Sequence, residues 1–445
     1  MSIADSEPDV PQLAHGPGSL GRMVRNSGFN AVGTILSLTL NFLAIFVLAR
    51  SLGKDALGLY FAIFTVALVV YFILDSGLTM VLTRRIARYP DQLKKHVSEA
   101  TGLLLVAAFA AVAILTLIGI AWNQIEPLMD KSRSTVHITS AGMIMIFAAA
   151  GLACAGRLML EFYAAVFRGI ELFEYENIAR VIQAGTFAGL VALWVGGPER
   201  AALARAVWVL VISNFAGGLF VAWRLARMGC LGFSLNRRVL ADWVPESLPL
   251  GVGDLVQRVT WQVDTLLLSW LRPLADVGLY SIAYRPLQPL NLVPRTVLSV
   301  TFPQFSRLAD TSMEALGQAF ARSIRLLWVV SLPISIVICV WAEPLVVLAA
   351  GPSYREAAVP LRLLIWIVNL SFVSTQFRFL FTAMGQQRTF AKLVLPILVL
   401  KVVIEVMLIL PFGYFGACAG SCIAEFTLVA LGLAVCRRLG LGNLE

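Results

Sequence analysis

The feature that most constrains this chain is a series of apolar runs, each about 20 residues long, separated by short charged links. A run of that length crosses hydrocarbon as a helix, whereas a barrel strand needs only ~10 alternating residues. Hydrocarbon offers the backbone no hydrogen-bond partner, so each span must satisfy its own polar groups. Only 14% of the 445 residues are charged, against about 25% in a soluble domain. The fold class that follows is all-α integral membrane.

Twelve spans can be drawn, at 27–49, 58–81, 98–121, 136–156, 178–196, 204–223, 246–271, 278–301, 323–349, 358–384, 390–411 and 414–436. Pro286, Pro289 and Pro294 in the eighth and Pro396 in the eleventh predict broken or kinked helices, tolerated where freed backbone faces protein or water. The net charge of +9 does not indicate nucleic acid, because most Lys and Arg cluster in the short links. Links on the N-terminal side hold 21 basic residues, including Arg157, Arg168 and Arg180, against 8 on the other side. The positive-inside rule then places both termini in the cytoplasm of a bacterial inner-membrane, multi-pass protein. The first apolar run is too long for a signal-peptide core and reads as a retained span.

The link before the second span ends in Gly58-Leu59-Tyr60, and that before the eighth ends in Gly278-Leu279-Tyr280. The same offset of 220 residues roughly superimposes later spans. Six spans per repeat is an even number, so the halves enter the membrane in the same sense, related by a pseudo-two-fold axis along its normal. The expected organisation is a disordered cytoplasmic tail (1–26), a six-helix bundle (27–223), a cytoplasmic linker (224–245), a second bundle (246–436) and a short tail (437–445). Such duplication suits alternating access, one bundle rocking against the other.

Charges inside spans cost several kcal/mol (~2.5–3.5) and mark function by default. In the first half Asp75 stands almost alone. The second holds Asp254, Arg258, Asp264, Arg285, Arg295, Arg362, Arg378, Lys401, Glu405 and Glu425. Asp254/Arg258 and Lys401/Glu405 are spaced i,i+4 and can pair along one helix face. Arg295 stands at the repeat offset from Asp75. Arginines lining a wet cavity suit an anionic substrate, because guanidinium grips phosphate in a planar fork. Trp261, Tyr280 and Tyr284 are placed to stack on sugar rings, while Trp270 suits an interfacial belt. The six cysteines read as small packing residues. The three histidines (His15, His96, His137) fall outside the spans, so neither a histidine metal site nor a proton relay is expected in the membrane.

Leu48-Ala49-Arg50-Ser51-Leu52-Gly53, Gly58-Leu59-Tyr60, Asp75-Ser76-Gly77-Leu78 and Arg84-Arg85-Ile86-Ala87-Arg88 resemble the opening of polysaccharide-biosynthesis (Wzx-type) flippases. These belong to the multidrug/oligosaccharidyl-lipid/polysaccharide exporter (MOP) superfamily. Asp264, Gly278-Leu279-Tyr280-Ser281 and Phe302-Pro303-Gln304-Phe305-Ser306-Arg307 resemble the family's later segments. The resemblance implies a MATE-like fold and ion-coupled flipping of a polyprenyl-pyrophosphate-linked oligosaccharide, with no enzyme chemistry and no cofactor beyond a coupling proton or sodium ion. Its expected partners are that lipid-linked oligosaccharide, membrane lipid, polysaccharide polymerase and glycosyltransferases. The expected substrate contacts are Arg258, Arg285, Arg295, Arg378 and Trp261; the expected ion-coupling or gating residues are Asp75, Asp264, Glu405 and Lys401. A MATE-type organic-cation antiporter is the alternative. A lipid II flippase fits less well, since those usually have fourteen spans and charges within the first. No external loop is large enough for a glycosyltransferase or ligase active site.

Overall fold

The computed structural model describes residues 20–125, 138–196, 199–290 and 292–441. Expected features outside that range are the tail up to residue 19, His15, His137, the loop past residue 125 and the last four residues. Among the described residues the chain consists of helices and their links, with no strand, and it divides into two compact units. The first gathers residues up to Leu52 with Ile63–Val259; the second gathers Gly53–Ala62 with residues from Thr260 onward. The expected linker 224–245 therefore lies inside the first unit, and a short piece of the second span belongs to the other.

The first unit is built from α1 (Leu20–Asp75), α2 (Leu78–Arg88), α3 (Leu93–Ile125), α4 (Ser140–Gly169), α5 (Phe173–Trp194), α6 (Glu199–Arg227) and α7 (Arg237–Thr260). The first and second expected spans run on as α1, bent at Gly53 (φ 71°, ψ 172°), a backbone conformation that only glycine adopts without strain. Helix α4 is the central element. A Cβ on Gly151 would lie 2.7 Å from Val112 Cα of α3 and one on Gly156 3.1 Å from Asn214 Cβ of α6, so small residues of α4 let both helices settle closely, as lipid-embedded helices require when dispersion rather than water drives packing. Asn214 of α6 donates to the Ala153 carbonyl at 2.9 Å and adds a polar tie.

The second unit contains α8 (Val263–Leu271), α9 (Leu274–Tyr284), α10 (Leu287–Leu290), α11 (Leu292–Ala309), α12 (Met313–Val340), α13 (Ala342–Ala350), α14 (Ala358–Ala383), α15 (Gln387–Phe412) and α16 (Tyr414–Arg438). Phe305, Phe320, Phe377, Phe381, Cys436 and Leu441 pack α11, α12, α14 and the chain end into one core. The expected eighth span is indeed broken, into α9, α10 and α11, around Pro286 and Pro289. Helix α15 stays continuous across Pro396. The expected seventh span is interrupted at Trp261-Gln262, where the sequence has no proline.

Eight helical stretches among the described residues are long and apolar enough to cross a membrane, the first of them (Val32–Arg88) holding two expected spans. The expected fifth, seventh and eighth spans correspond to α5, to α7 with α8, and to α9–α11, which are charged or broken. Large apolar side chains project outward without protein cover: Leu193 is 87% exposed, Phe109 76% and Met407 68%. A water-facing surface of that kind would aggregate, so these residues face lipid. The chain is a multi-pass α-helical membrane protein.

Within the second unit, the two Gly-Leu-Tyr copies meet. A Cβ on Gly58 would lie 1.8 Å from the Leu274 carbonyl oxygen, and one on Gly278 would lie 2.4 Å from that of Lys54. The backbones of α1 and α9 thus touch directly, which small residues alone permit. Gly278→Ala should lower thermal stability in detergent by about 1–3 kcal/mol. Gly189→Ala, where a Cβ meets open space, should be near neutral; equal melting temperatures for the two variants would refute the tight crossing.

Candidate functional site

The interruption between α7 and α8 frees backbone groups that lipid cannot satisfy. The carbonyl of Thr260, at the negative end of α7, accepts from Lys401 Nζ of α15 at 3.1 Å. Asp264 sits in the first turn of α8, where the helix dipole favours a carboxylate. Its Oδ1 is 2.5 Å from the same ammonium. Glu405, one turn along α15, places Oε1 3.5 Å from Nζ. The i,i+4 pair read from the sequence therefore exists, and Asp264 is its nearer partner.

Neutral groups complete the cluster. Tyr280 of α9 donates to Asp264 Oδ2 at 2.6 Å, and Ser421 of α16 donates to the same oxygen at 2.7 Å while lying 3.1 Å from Glu405 Oε1. Asp264, Lys401 and Glu405 are 5%, 7% and 0% exposed. Beside them lies a cavity of about 90 Å³ whose lining includes Trp261, Asp264, Tyr284, Lys401, Ser421 and Glu425. That space suits a few waters or an ion, and it is far below the ~300–1,000 Å³ of pockets that hold drug-sized ligands. Two carboxylates (Asp264, Glu405) thus flank one ammonium, and a third, Glu425, lines the same cavity.

Sequence reasoning singled out Asp264, Lys401, Glu405 and Trp261, and the structure brings all four to this place. It overlooked Ser421, named Glu425 without giving it a role, and took Tyr280 for a sugar platform, although Tyr280 is buried with its hydroxyl on Asp264. The available signal was spacing: Ser421 and Glu425 are i,i+4 on one face of α16.

Arg285 stands apart from the cluster, at the junction of α9 and α10. Its guanidinium lies 4.5 Å over the ring of Phe61, and Nη1 donates to Gln288 Oε1 at 3.3 Å. No described carboxylate lies within ion-pair distance of it. Arg378 is half-buried, 5.9 Å from the ring centre of Phe379. Arg362 donates to the Cys339 carbonyl at 3.3 Å. The side chain of Arg295 falls outside the described residues, so its expected relation to Asp75 has no geometry to report.

The first unit corrects one expectation. Asp75 does not stand almost alone, because α4 runs past the expected end of the fourth span at residue 156 and carries Glu161 inward. Arg180 of α5 grips Glu161 with two parallel bonds (3.0 and 2.9 Å) and also binds Glu176, which pairs with Arg168 at 3.0 Å. Arg157, Arg168 and Arg180 are therefore helix residues of this neighbourhood rather than link residues. Glu161 and Glu176 are each paired with arginine, which offsets the cost of burying them, while Arg157 lies over the Tyr71 ring. Arg258 is held by Asp254 at 2.6 Å and lies over Phe72. Asp75 Oδ1 accepts from the Thr79 backbone N–H, in the first turn of α2, at 3.3 Å.

Near the start of α7, Glu246 accepts from Arg84 and Arg85. Buried Trp243 receives the Arg85 guanidinium on its ring at 4.4 Å and donates to Glu99 at 3.1 Å. His96 is buried beside Glu99 at 3.7 Å, inside the first turn of α3. These contacts fasten the expected linker to α2 and α3.

Breaking a buried ion pair from one side costs about 3–5 kcal/mol, because a bare charge remains. Lys401→Met and Asp264→Asn should each destabilise strongly, and the double variant should recover much of the loss. Additive losses in thermal unfolding would show that the two groups are not coupled.

Residues 23–309 match the family described as polysaccharide biosynthesis protein. A candidate O-antigen transporter of Shigella flexneri is 22% identical over 343 residues, covering 75% of this chain and 78% of that protein. A candidate low-salt glycan biosynthesis flippase of Haloferax volcanii is 22% identical over 400 residues, covering 88% and 79%. Among solved structures, an inward-facing multidrug resistance MATE family transporter of the MOP superfamily superposes with a TM-score of 0.69 at 16% identity. It covers 93% of this chain and 99% of that one. The expected MATE-like fold is the one this chain adopts.

Proposed function

The chain belongs to the polysaccharide biosynthesis protein family, and from that premise we propose that it is a flippase for a polyprenyl-pyrophosphate-linked oligosaccharide. It moves the repeat unit across the bacterial cytoplasmic membrane for O-antigen, capsule or exopolysaccharide assembly, by ion-coupled alternating access. The O-antigen and glycan assignments of its relatives support the substrate class. The structural observation that carries the reading is Arg285, a guanidinium at a helix break with no described carboxylate to neutralise it. A pyrophosphate diester carries two negative charges and suits that planar donor. Arg295 and Arg378 are the further expected contacts. Arg258 ranks behind them, because Asp254 already holds it. The sugar and the polyprenyl tail exceed the 90 Å³ cavity, which this reading gives to ions and water, and Trp261 goes with it. No bond is made or broken in the cycle.

An organic-cation antiporter has one observation in its favour, the carboxylates and aromatic rings around that same cavity. Its volume weighs against it, and a drug-susceptibility assay in an efflux-deficient strain separates the two readings.

Deleting the chain from its host should abolish surface polysaccharide and leave lipid-linked repeat units sealed from an external probe. Arg285→Ala should reduce export about tenfold or more at unchanged protein level, since a charge-assisted hydrogen bond contributes ~1.5–3 kcal/mol. Wild-type export by Arg285→Ala would remove that residue from the substrate site. Cytoplasmic termini, the orientation proposed from the charge bias, predict that a phosphatase reporter fused after Lys131 is active and one fused after Gly232 inactive.

A further inference from the structure

The geometry points to Lys401 as a tethered cation: its ammonium fills the place in the second unit's oxygen cluster that a sodium ion would otherwise take. An ammonium has three N–H donors. Three oxygens surround this one, from three different segments: Thr260 O at 3.1 Å, Asp264 Oδ1 at 2.5 Å and Glu405 Oε1 at 3.5 Å. The Ser421 hydroxyl bridges the two carboxylates from α16. A backbone carbonyl at a half-helix end, carboxylates and a hydroxyl are the donor set that broken membrane helices offer to alkali ions. Here the positive charge is covalently attached to α15. Thr260 O, Asp264 Oδ1 and Glu405 Oε1 face the ammonium, so a monovalent metal ion cannot take the same position among those three oxygens.

The neighbouring cavity makes this arrangement testable. Lys401 and Asp264 both line it, so shortening the lysine joins the vacated volume to a space already large enough for water. A hydrated ion then reaches the Asp264 carboxylate and the Thr260 carbonyl. The inference bears on the proposed transport cycle by removing sodium at this cluster as its coupling ion. It rests on geometry alone, and its test uses no substrate, so it stands or falls independently of the flippase reading.

Purified wild type, Lys401→Ala and Lys401→Ala/Glu405→Gln are unfolded thermally across a titration of sodium chloride, with choline chloride holding ionic strength constant. The wild type should show no sodium-specific shift. Lys401→Ala should gain a saturable rise in melting temperature with sodium and none with choline, and adding Asp264→Asn should erase the gain. The double variant, which preserves the net charge of the cluster, should behave as Lys401→Ala does. If Lys401→Ala cannot be isolated from choline, recovery of monodisperse protein in sodium is the same positive result. A saturable sodium response in the wild type that Asp264→Asn removes would overturn the inference. So would lysine-deleted variants that are indifferent to sodium or are recovered in neither salt.

Discussion

A helix that stops inside a membrane leaves carbonyls with no water to turn to, and the chain meets that constraint at Thr260 with a lysine side chain. Much of the second unit's polar interior follows from this. The ammonium must be neutralised, so Asp264 begins α8 within reach of it. Asp264 has further lone pairs, so Tyr280 and Ser421 donate to it. Glu405 comes along because it is one turn from Lys401. An interruption with no proline to cause it is held open by electrostatics.

The two units solve the problem of buried charge differently. In the first, Glu161, Glu176, Arg168 and Arg180 form matched pairs with short bidentate contacts, a closed arrangement that leaves little unbalanced field. In the second, Asp264, Glu405 and Glu425 outnumber Lys401, and Asp264 and Glu425 border a cavity. Both arrangements use an i,i+4 pair on a single helix, Glu176/Arg180 on α5 with the acid first and Lys401/Glu405 on α15 with the base first. The first unit has the more self-sufficient interior, while the second holds more carboxylates than ammonium groups around its cavity.

What the sequence made legible divides along physical lines. The spans were readable because hydropathy is a sum over about 20 residues and tolerates local error. The Lys401/Glu405 pair was readable because helical spacing is local. The Lys401–Asp264 contact was not, since it joins residues more than a hundred positions apart in sequence and depends on where α8 begins. Glu161 was hidden for another reason. Arg157 and Glu161 lower the local hydropathy enough to end a drawn span, yet paired charges let the real helix continue to Gly169. Ser421 carries no charge, so a search for charges passed over it.

The crossing of α1 and α9 at Gly58 and Gly278 has a consequence in time. The segment Gly53–Ala62 emerges early in synthesis, but the partner it packs against, beginning at Leu274, lies about 200 residues later. At ribosomal rates of about 5–20 residues per second, that segment waits roughly 10–40 s for its seat. During this interval a glycine-bearing segment has one side without its packing partner. Insertion and final assembly are therefore separate events for this chain.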